Sequence, residues 1–292
     1  MQHAAKPKKR AKKAPKPQKA PAKRGWAYTA LITISVICLV ASAVLAYYTV
    51  PCIKCGEKFC LGDCPIPERV PAGEVTSVNR NEDGELVYPT QLQYTGAKNQ
   101  EYLDDLIFIG DSRTVGFQLV GIPASQTWAE TGMFHMDALT KKLVVVEDIA
   151  IMTIPEALTA FAPKVAIVNF GINGFGYMDD DTFYEEYKEM MEGFIQASPK
   201  TAFVIESILP VSLTWAAQNG YTNEEIDEMN ARLLLLAEEL GCYYLDTASA
   251  MKDGNNALER SYSSGDGLHF SQTGSQAILA HIATHRVPTW RK

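Results

Sequence analysis

Leu106-Ile107-Phe108-Ile109-Gly110-Asp111-Ser112 is the stretch of sequence from which the fold prediction starts. Its four consecutive apolar residues predict a buried strand, and the Gly-Asp-Ser that follows predicts a sharp turn at the carboxyl end of that strand. Far downstream, Asp266-Gly267-Leu268-His269 places an aspartate and a histidine on one loop. Together the two stretches supply the residue types of a Ser-His-Asp catalytic set.

The rest of this region alternates between apolar runs and helix-like segments. Further strands are predicted at 165–170, 202–208 and 242–245, and helices at 180–196 and 223–240. This alternation predicts an α/β fold, with a parallel sheet inside a three-layer α/β/α sandwich. Because reactive groups in such folds collect beyond the carboxyl ends of the strands, Ser112 is expected to lie at the functional edge of the sheet.

Composition divides the chain into five predicted segments. They are a basic tail (1–25), an apolar span (26–50), a cysteine-rich segment (51–64), a linker or stalk rich in turn-forming residues (65–103) and the α/β domain (104–292). A short β-like stretch at 85–88 is compatible with a hairpin within the linker.

The first fifty residues predict a membrane anchor. Residues 1–24 contain ten Lys and Arg and no acidic residue, a composition typical of disorder. Residues 26–50 carry no charge, and as a helix they would reach roughly 37 Å, enough to cross a hydrocarbon core of about 30 Å. The excess of bases before this transmembrane helix predicts that the N-terminus lies in the cytoplasm and that the α/β domain lies outside it. The chain is therefore expected to be a single-pass protein of the cell membrane. A cleaved signal peptide is the alternative, with Ala41-Ser42-Ala43 as a cleavage-like site, but the apolar stretch is longer than usual for one.

Charge indicates which partners to expect. Without the ten bases of the tail, 17 Lys and Arg remain against 34 Asp and Glu, a formal charge of −17. Nucleic-acid binding requires a basic surface, so the predicted outer domain is not expected to bind nucleic acid. The tail is expected to contact anionic lipid, with nucleic-acid binding by the tail as the alternative.

Four cysteines follow the predicted span within thirteen residues. Cys52, Cys55, Cys60 and Cys64 have the spacing C-x2-C-x4-C-x3-C. Outside a membrane, two disulfides are favoured. A structural metal site, with zinc bound by thiolates, is the first alternative, and an iron–sulfur or redox role is the second. We expect no catalytic part for these thiols.

Over residues 104–290 the chain resembles the SGNH, or GDSL-type, hydrolase family. Four sequence blocks occur in the family's order, at 108–116 with Ser112, 129–133 with Gly132, 169–174 with Asn173, and 266–274 with Asp266 and His269. Shorter stretches at 207–210, 230 and 244–246 also look like family landmarks. Two positions depart from the family pattern: Arg113 stands where leucine is common, and Gly174 stands where aspartate is common.

The resemblance implies a serine ester hydrolase that needs no cofactor for catalysis. It makes Ser112 the nucleophile, His269 the general base and Asp266 the group that orients the histidine. The backbone N–H groups of Ser112 and Gly132 and the side-chain amide of Asn173 would form the oxyanion hole.

Other polar residues receive supporting or packing roles. We expect Gly110 to permit the tight turn and Asp111 to brace it. His135, His281 and His285 have no comparable partners in the sequence and are interpreted as surface or packing residues. Asp246, at a predicted strand end, is a weaker candidate for the acid than Asp266.

Location and family together predict the substrate. An anchored hydrolase outside a cell is expected to remove O-acetyl or other short acyl groups from surface or cell-wall carbohydrate. The alternatives are hydrolysis of lipids or lysophospholipids and O-acyl transfer. Because a fold does not fix an activity, a carbohydrate-binding or scaffold domain on the same fold is the non-enzymatic alternative.

Overall fold

The computed structural model describes residues 79–80, 86–146 and 150–290. The predicted basic tail, the apolar span, the four clustered cysteines and the linker up to residue 78 lie outside the described residues. Within the described ranges, no helix combines the length and apolar character needed to cross a membrane.

The elements of the described residues are as follows. The strands are β1 Leu106–Gly110, β2 Thr127–Ala129, β3 Lys142–Val146, β4 Ala150–Thr153, β5 Val165–Asn169, β6 Ala202–Glu206 and β7 Tyr243–Leu245. The α-helices are α1 Gln100–Asp104, α2 Ser112–Val115, α3 Ile154–Phe161, α4 Asp180–Ala197, α5 Leu213–Asn219, α6 Asn223–Leu240, α7 Ala248–Met251 and α8 Gln272–Thr284. Short 3-10 helices are found at Gly116–Val120, Ala124–Gln126, His135–Asp137 and Arg260–Tyr262.

The central sheet of the described residues has five strands in the order β2-β1-β5-β6-β7, and each neighbouring pair is parallel. The chain adds β2 on one side of β1 and then β5 on the other, so the strand order reverses at β1. Gly110 pairs with Asn169, which brings the carboxyl ends of β1 and β5 level. A reversal of this kind opens a crevice beyond the strand ends, where ligands of α/β proteins bind. Strands β3 and β4 form a separate antiparallel pair.

Hydrophobic clusters cover both faces of the sheet. Along β1, Leu106 and Phe108 belong to one cluster, whereas Ile109 belongs to the other, as the alternation of side chains along a strand requires. Buried residues of α3, α4 and α6 join the Ile109 cluster, and those of α1 and α8 join the Leu106 cluster. The sheet is therefore the middle of three layers, and the predicted α/β fold with a parallel sheet is confirmed.

The predicted elements correspond closely to observed ones. The four apolar runs correspond to β1, β5, β6 and β7, and the two predicted helices correspond to α4 and α6. The sequence did not predict β2, the β3–β4 pair or α8.

Residues 86–104 belong to the domain, although most of them were predicted as part of a stalk. The Leu92 N–H donates to the Tyr244 carbonyl (2.8 Å), and the Tyr244 N–H donates to the Thr90 carbonyl (2.8 Å). This extends the sheet at the free edge of β7, where unpaired backbone groups need partners. Tyr102 of α1 is fully buried. The packed domain therefore begins before residue 104, the boundary that was predicted.

Candidate active site

Residues 110–113, which we term the nucleophile turn after the role predicted for Ser112, join β1 to α2. Asp111 caps α2 by accepting a hydrogen bond from the Arg113 N–H (2.9 Å), and Ser112 is the first residue of the helix. Gly110 leaves no room for a side chain, because a Cβ there would lie 2.1 Å from Thr114 Oγ1 and 2.4 Å from the Asn169 carbonyl oxygen. The turn therefore packs closely against β5 at Gly110 and begins α2 at the Asp111 cap.

Residues 264–269, which we term the acid–base loop after the roles predicted for Asp266 and His269, face the nucleophile turn. One oxygen of Asp266 accepts the N–H groups of Leu268 (2.9 Å) and His269 (2.8 Å), and the other lies 2.6 Å from His269 Nδ1. His269 Nε2 lies 3.0 Å from Ser112 Oγ. Because an ionised carboxylate only accepts hydrogen bonds, Nδ1 carries the proton and Nε2 accepts from the serine hydroxyl. The structure thus brings Ser112, His269 and Asp266 together in one line of hydrogen bonds.

The carboxyl group of Asp266 is held in its ionised form. Desolvation acts to raise its pKa, but the hydrogen bonds from the His269 side chain and from the N–H groups of His269 and Leu268 outweigh it. The net effect keeps the pKa of Asp266 well below its usual range. A carboxylate at this position accepts the Nδ1 proton of His269 and orients the ring, so that Nε2 faces Ser112 Oγ.

Two loops carry the predicted oxyanion residues to the same place. The loop of Gly132 is attached to the nucleophile turn by a hydrogen bond from the Glu130 N–H to the Gly110 carbonyl (3.4 Å). Gly132 is exposed and has a φ of 77°, a conformation that favours glycine. Asn173 Nδ2 donates to the Met133 carbonyl (3.0 Å), one residue beyond Gly132.

The Asn173 amide also reaches the nucleophile turn. Its Nδ2 lies 3.3 Å from Asp111 Oδ2, a longer contact than the one to Met133. Burial raises the pKa of Asp111, while the nearby Arg113 charge and the Arg113 N–H act in the opposite direction. Asn173 therefore contacts both the residue that follows Gly132 and the residue that precedes Ser112.

No metal-binding set accompanies these residues. Within 79–80, 86–146 and 150–290, side chains of His, Cys, Asp and Glu form no group of three or more that could hold a metal ion. The predicted zinc alternative concerns Cys52, Cys55, Cys60 and Cys64, which lie outside those ranges.

A family model matches residues 108–277, more than half of the chain, and its description is the GDSL-like lipase/acylhydrolase family. The chain belongs to this family. The acylhydrolase is therefore a serine ester hydrolase of the GDSL type, and the matched range contains the nucleophile turn and the acid–base loop.

Solved structures of bacterial proteins resemble this acylhydrolase in fold. A Streptococcus pneumonia protein provisionally assigned as a platelet activating factor is 20% identical, with a TM-score of 0.50 over 62% of this chain and 87% of that chain. A GDSL-like lipase from Bacteroides thetaiotaomicron is 19% identical, with a TM-score of 0.48 over 63% and 88% of the two chains. A provisionally assigned acylhydrolase from Bacteroides fragilis is 16% identical, with a TM-score of 0.48 over 70% and 87%. No curated protein gave a significant match.

Arg113, one of the two departures from the family pattern, lies buried beneath the site of the acylhydrolase. Its guanidinium donates to the carbonyls of Leu209 (2.6 Å) and Pro210 (3.2 Å), and it lies 5.4 Å from the centre of the Phe270 ring. Desolvation lowers its pKa to about 10, and the carboxylate of Asp111 is the largest opposing influence. A buried cation therefore ties the nucleophile turn to the segment that follows β6.

Glu206 is a buried acid that the sequence analysis did not single out. It accepts hydrogen bonds from Asn169 Nδ2 (2.7 Å) and Thr247 Oγ1 (2.7 Å), below the carboxyl ends of β5 and β6. Burial raises its pKa to about 7, against the opposing effects of those two hydrogen bonds and of the Arg113 charge. The available signal was a glutamate directly after four apolar residues of a predicted buried strand.

The segment at 207–211 is braced from α6. Asn230 exchanges two hydrogen bonds with the backbone of Ile208 (2.7 and 2.9 Å), and Asn223 does the same with Val211 (3.0 and 2.9 Å). The next residue, Ser212, donates its N–H to the Gly267 carbonyl (2.8 Å). The segment therefore connects the nucleophile turn, through Arg113, to the acid–base loop.

The remaining candidates have contacts elsewhere. His135 is buried with its ring 4.6 Å from that of Phe183, and desolvation lowers its pKa to about 4. His281 and His285 stack on each other at the end of α8, with ring centres 4.0 Å apart. Asp246 accepts from the Ser249 N–H (3.1 Å) and hydroxyl (2.6 Å) at the start of α7.

Proposed function

We propose that this acylhydrolase cleaves esters through a catalytic triad of Ser112, His269 and Asp266. The observation that carries the proposal is the pair of contacts on the two ring nitrogens of His269, 3.0 Å to Ser112 Oγ and 2.6 Å to Asp266 Oδ2. A serine hydroxyl becomes an effective nucleophile when an adjacent imidazole accepts its proton.

The reaction follows from this geometry. Ser112 Oγ bonds to the acyl carbon while His269 Nε2 takes its proton, and Asp266 stabilises the imidazolium that forms. The tetrahedral intermediate collapses as the bond to the alcohol oxygen breaks, and His269 returns the proton to that oxygen. A water molecule then attacks the acyl-enzyme with His269 again acting as base, which releases the acid and restores Ser112.

The N–H groups of Ser112 and Gly132 and the amide of Asn173 serve as oxyanion donors in this proposal. The long contact between Asn173 Nδ2 and Asp111 is the one that an incoming negative oxygen would replace, while the bond to Met133 holds the amide in place. Such preorganised donors are worth about 10²–10³ in rate each.

The proposed substrate is carbohydrate that carries O-acetyl or other short acyl esters. The side chains of His269 and Asp266 are 39% and 45% exposed, so the reacting groups lie at the surface of the domain. A polymer can present an ester to an open site of this kind. A long acyl chain, by contrast, binds best in a largely enclosed apolar pocket.

The proposed location is outside a cell, on a single N-terminal anchor. The uncharged stretch at 26–50 and the ten bases before it support this location. Protease digestion of intact and permeabilised cells would test it. Cleavage of the domain in intact cells is expected, whereas cleavage only after permeabilisation would contradict the proposal.

The activity can be tested on the full-length chain in detergent. Acetate release from p-nitrophenyl acetate and from O-acetylated xylotetraose would be measured for the wild type, for Ser112→Ala and for Ser125→Ala, a control at an exposed serine away from the turn. Ser112→Ala is expected to lose at least about 10⁴-fold in kcat, with the control unchanged. Full activity of Ser112→Ala would overturn the triad. Preference for a long-chain ester over the acetylated sugar would indicate a lipid substrate.

A further inference from the structure

Two aromatic residues, Phe134 and Tyr177, form what we term the aromatic step. Their ring centres are 5.5 Å apart and their planes meet at 65°. Phe134 is half-buried, whereas Tyr177 is 77% exposed. An exposed aromatic ring held against a second ring offers an apolar face and a phenol group at one place on the surface.

The aromatic step adjoins the residues proposed to hold the oxyanion. Phe134 follows Gly132 by two residues, and Tyr177 donates its N–H to the Gly174 carbonyl (3.0 Å), next to Asn173. The bond from Asn173 to the Met133 carbonyl (3.0 Å) joins the two loops that carry the step. A ligand on the aromatic step would therefore neighbour an ester bound at Ser112.

The loop that carries Tyr177 is packed against α5 and the residues that follow it. Gly176 has a φ of 76°, and a Cβ on it would lie 2.8 Å from Tyr221 Cδ1. Phe175 is buried with its ring 5.2 Å from that of Tyr221, whose hydroxyl accepts from Trp215 Nε1 (3.1 Å). These contacts hold the loop in place without a ligand, an arrangement that limits the conformational entropy lost on binding.

The chemistry of the step fits a sugar ring better than an acyl chain. A pyranose has a face of C–H groups that can lie on an aromatic ring, and its hydroxyls remain in water or bond to a phenol. Tyrosine gives such amphipathic contacts from a side chain with few rotatable bonds. A ring as exposed as Tyr177 cannot enclose a hydrocarbon chain, which needs burial to bind.

We infer that Phe134 and Tyr177 form a subsite for a pyranose ring of the O-acylated carbohydrate, adjoining the ring whose ester Ser112 attacks. The inference rests on the proposed function and adds to it a binding site for the carbohydrate backbone. Carbohydrate binding at this subsite and ester cleavage at Ser112 are separate events, so each can be measured without the other.

Kinetics on two substrates test the subsite. The full-length wild type, Tyr177→Ala and Tyr94→Ala would be assayed on O-acetylated xylotetraose and on triacetin, a small ester without a sugar ring. Tyr94 is the matched control, because it is 69% exposed and its ring lies 5.9 Å from that of His285, away from the site. For Tyr177→Ala we expect kcat/KM on the tetrasaccharide to fall about tenfold, mainly through KM, as for loss of an aromatic contact. Triacetin hydrolysis, and both activities of Tyr94→Ala, should stay at the wild-type level.

Binding provides a readout that does not depend on turnover. Calorimetry would compare the Kd of O-acetylated xylotetraose and of O-acetylated chitotetraose for Ser112→Ala and for Ser112→Ala with Tyr177→Ala. A Kd about tenfold weaker in the double variant, for at least one backbone, supports the subsite. Equal Kd values, no binding of either sugar, or equal losses on triacetin and tetrasaccharide would overturn it. Failure of the esterase proposal would give a different result, because the wild type would then hydrolyse neither substrate. The binding measurement would still test the subsite in that case.

Discussion

The nucleophile turn and the acid–base loop hold their residues in different ways. In the turn, Asp111 and Arg113 are buried, and the shape of the backbone is fixed by close contact with β5 and with the segment at 207–211. In the loop, Asp266 and His269 are partly exposed and are held mainly by hydrogen bonds among residues 264–269. The serine is thus positioned by the core of the domain, whereas the histidine and the aspartate are positioned by their own loop.

The two regions should therefore respond differently to substitution. A change in the acid–base loop removes chemistry but few packing contacts, so it is expected to lower the rate and leave the fold intact. A change in the nucleophile turn removes buried contacts, so it is expected to lower both the free energy of unfolding and the rate.

His269→Ala should have the largest effect, and it should be confined to the rate. Without a base at Nε2 the Ser112 hydroxyl keeps its proton, and kcat is expected to fall at least about 10⁴-fold. Steady-state kinetics and a thermal unfolding curve would be measured together, with His285→Ala as a control histidine on α8. A large fall in Tm for His269→Ala would contradict this, because it would show that the packing of His269 contributes to the stability of the fold.

Arg113→Leu should mainly lower the free energy of unfolding, and the rate should fall because the nucleophile turn is no longer held in place. The change leaves the buried carboxylate of Asp111 and the carbonyls of Leu209 and Pro210 without their cation, and breaking a buried charged contact from one side costs about 3–5 kcal/mol. Denaturant unfolding would measure the loss. Arg232→Leu is the control, because Arg232 pairs with Asp181 at the surface (2.9 Å) and such pairs contribute about 0–1 kcal/mol. Equal stability of the two variants would contradict the proposed tie between the turn and the 207–211 segment.

Glu206→Gln should change how stability depends on pH. The pKa of Glu206 is raised to about 7 in the folded chain from an ordinary value of 4.5, so between those values the unfolded chain releases a proton that the folded chain keeps. The wild type therefore loses stability as pH rises from 4.5 to 7, by about 3 kcal/mol from this group.

Glu206→Gln removes that loss, and the difference in unfolding free energy between variant and wild type should shift in favour of the variant across the same pH range. Asp266 in the acid–base loop acts with the opposite sign, since its pKa is lowered and its contribution is lost as pH falls. Denaturant unfolding at a series of pH values, with Glu130→Gln at the surface as control, measures this. A pH-independent difference between Glu206→Gln and wild type would show that Glu206 does not titrate in this range.

Sequence alone predicted the parts of the fold that depend on continuous patterns. The apolar runs of β1, β5 and β6 are long enough to identify buried strands, and α6 begins with a capping box between Thr222 and Glu225. Strand β2 has only three residues, too few for a period to appear. The packing of 86–104 was not predicted, because backbone hydrogen bonds to β7 leave no mark in the side-chain pattern.

The candidate site was predictable to a similar degree. Ser112, His269 and Asp266 were identified from residue types and from the resemblance to a family, and the structure brings their side chains together. Arg113 was visible only as a departure from the family pattern. Its partners are two backbone carbonyls almost a hundred residues downstream, and a carbonyl carries no sequence signal.

Both ends of the described residues lie on the side of the domain opposite Ser112. Arg80 donates to the carbonyls of Glu238 and Glu239, just before β7 begins, and Trp290 donates to Asp105, just before β1 begins. Ser112, by contrast, follows the carboxyl end of β1. A support or a fusion partner coupled near residue 80 or residue 290 would therefore be attached on the side of the domain remote from Ser112. An immobilised preparation would leave the carboxyl ends of the strands facing solution even with a short spacer.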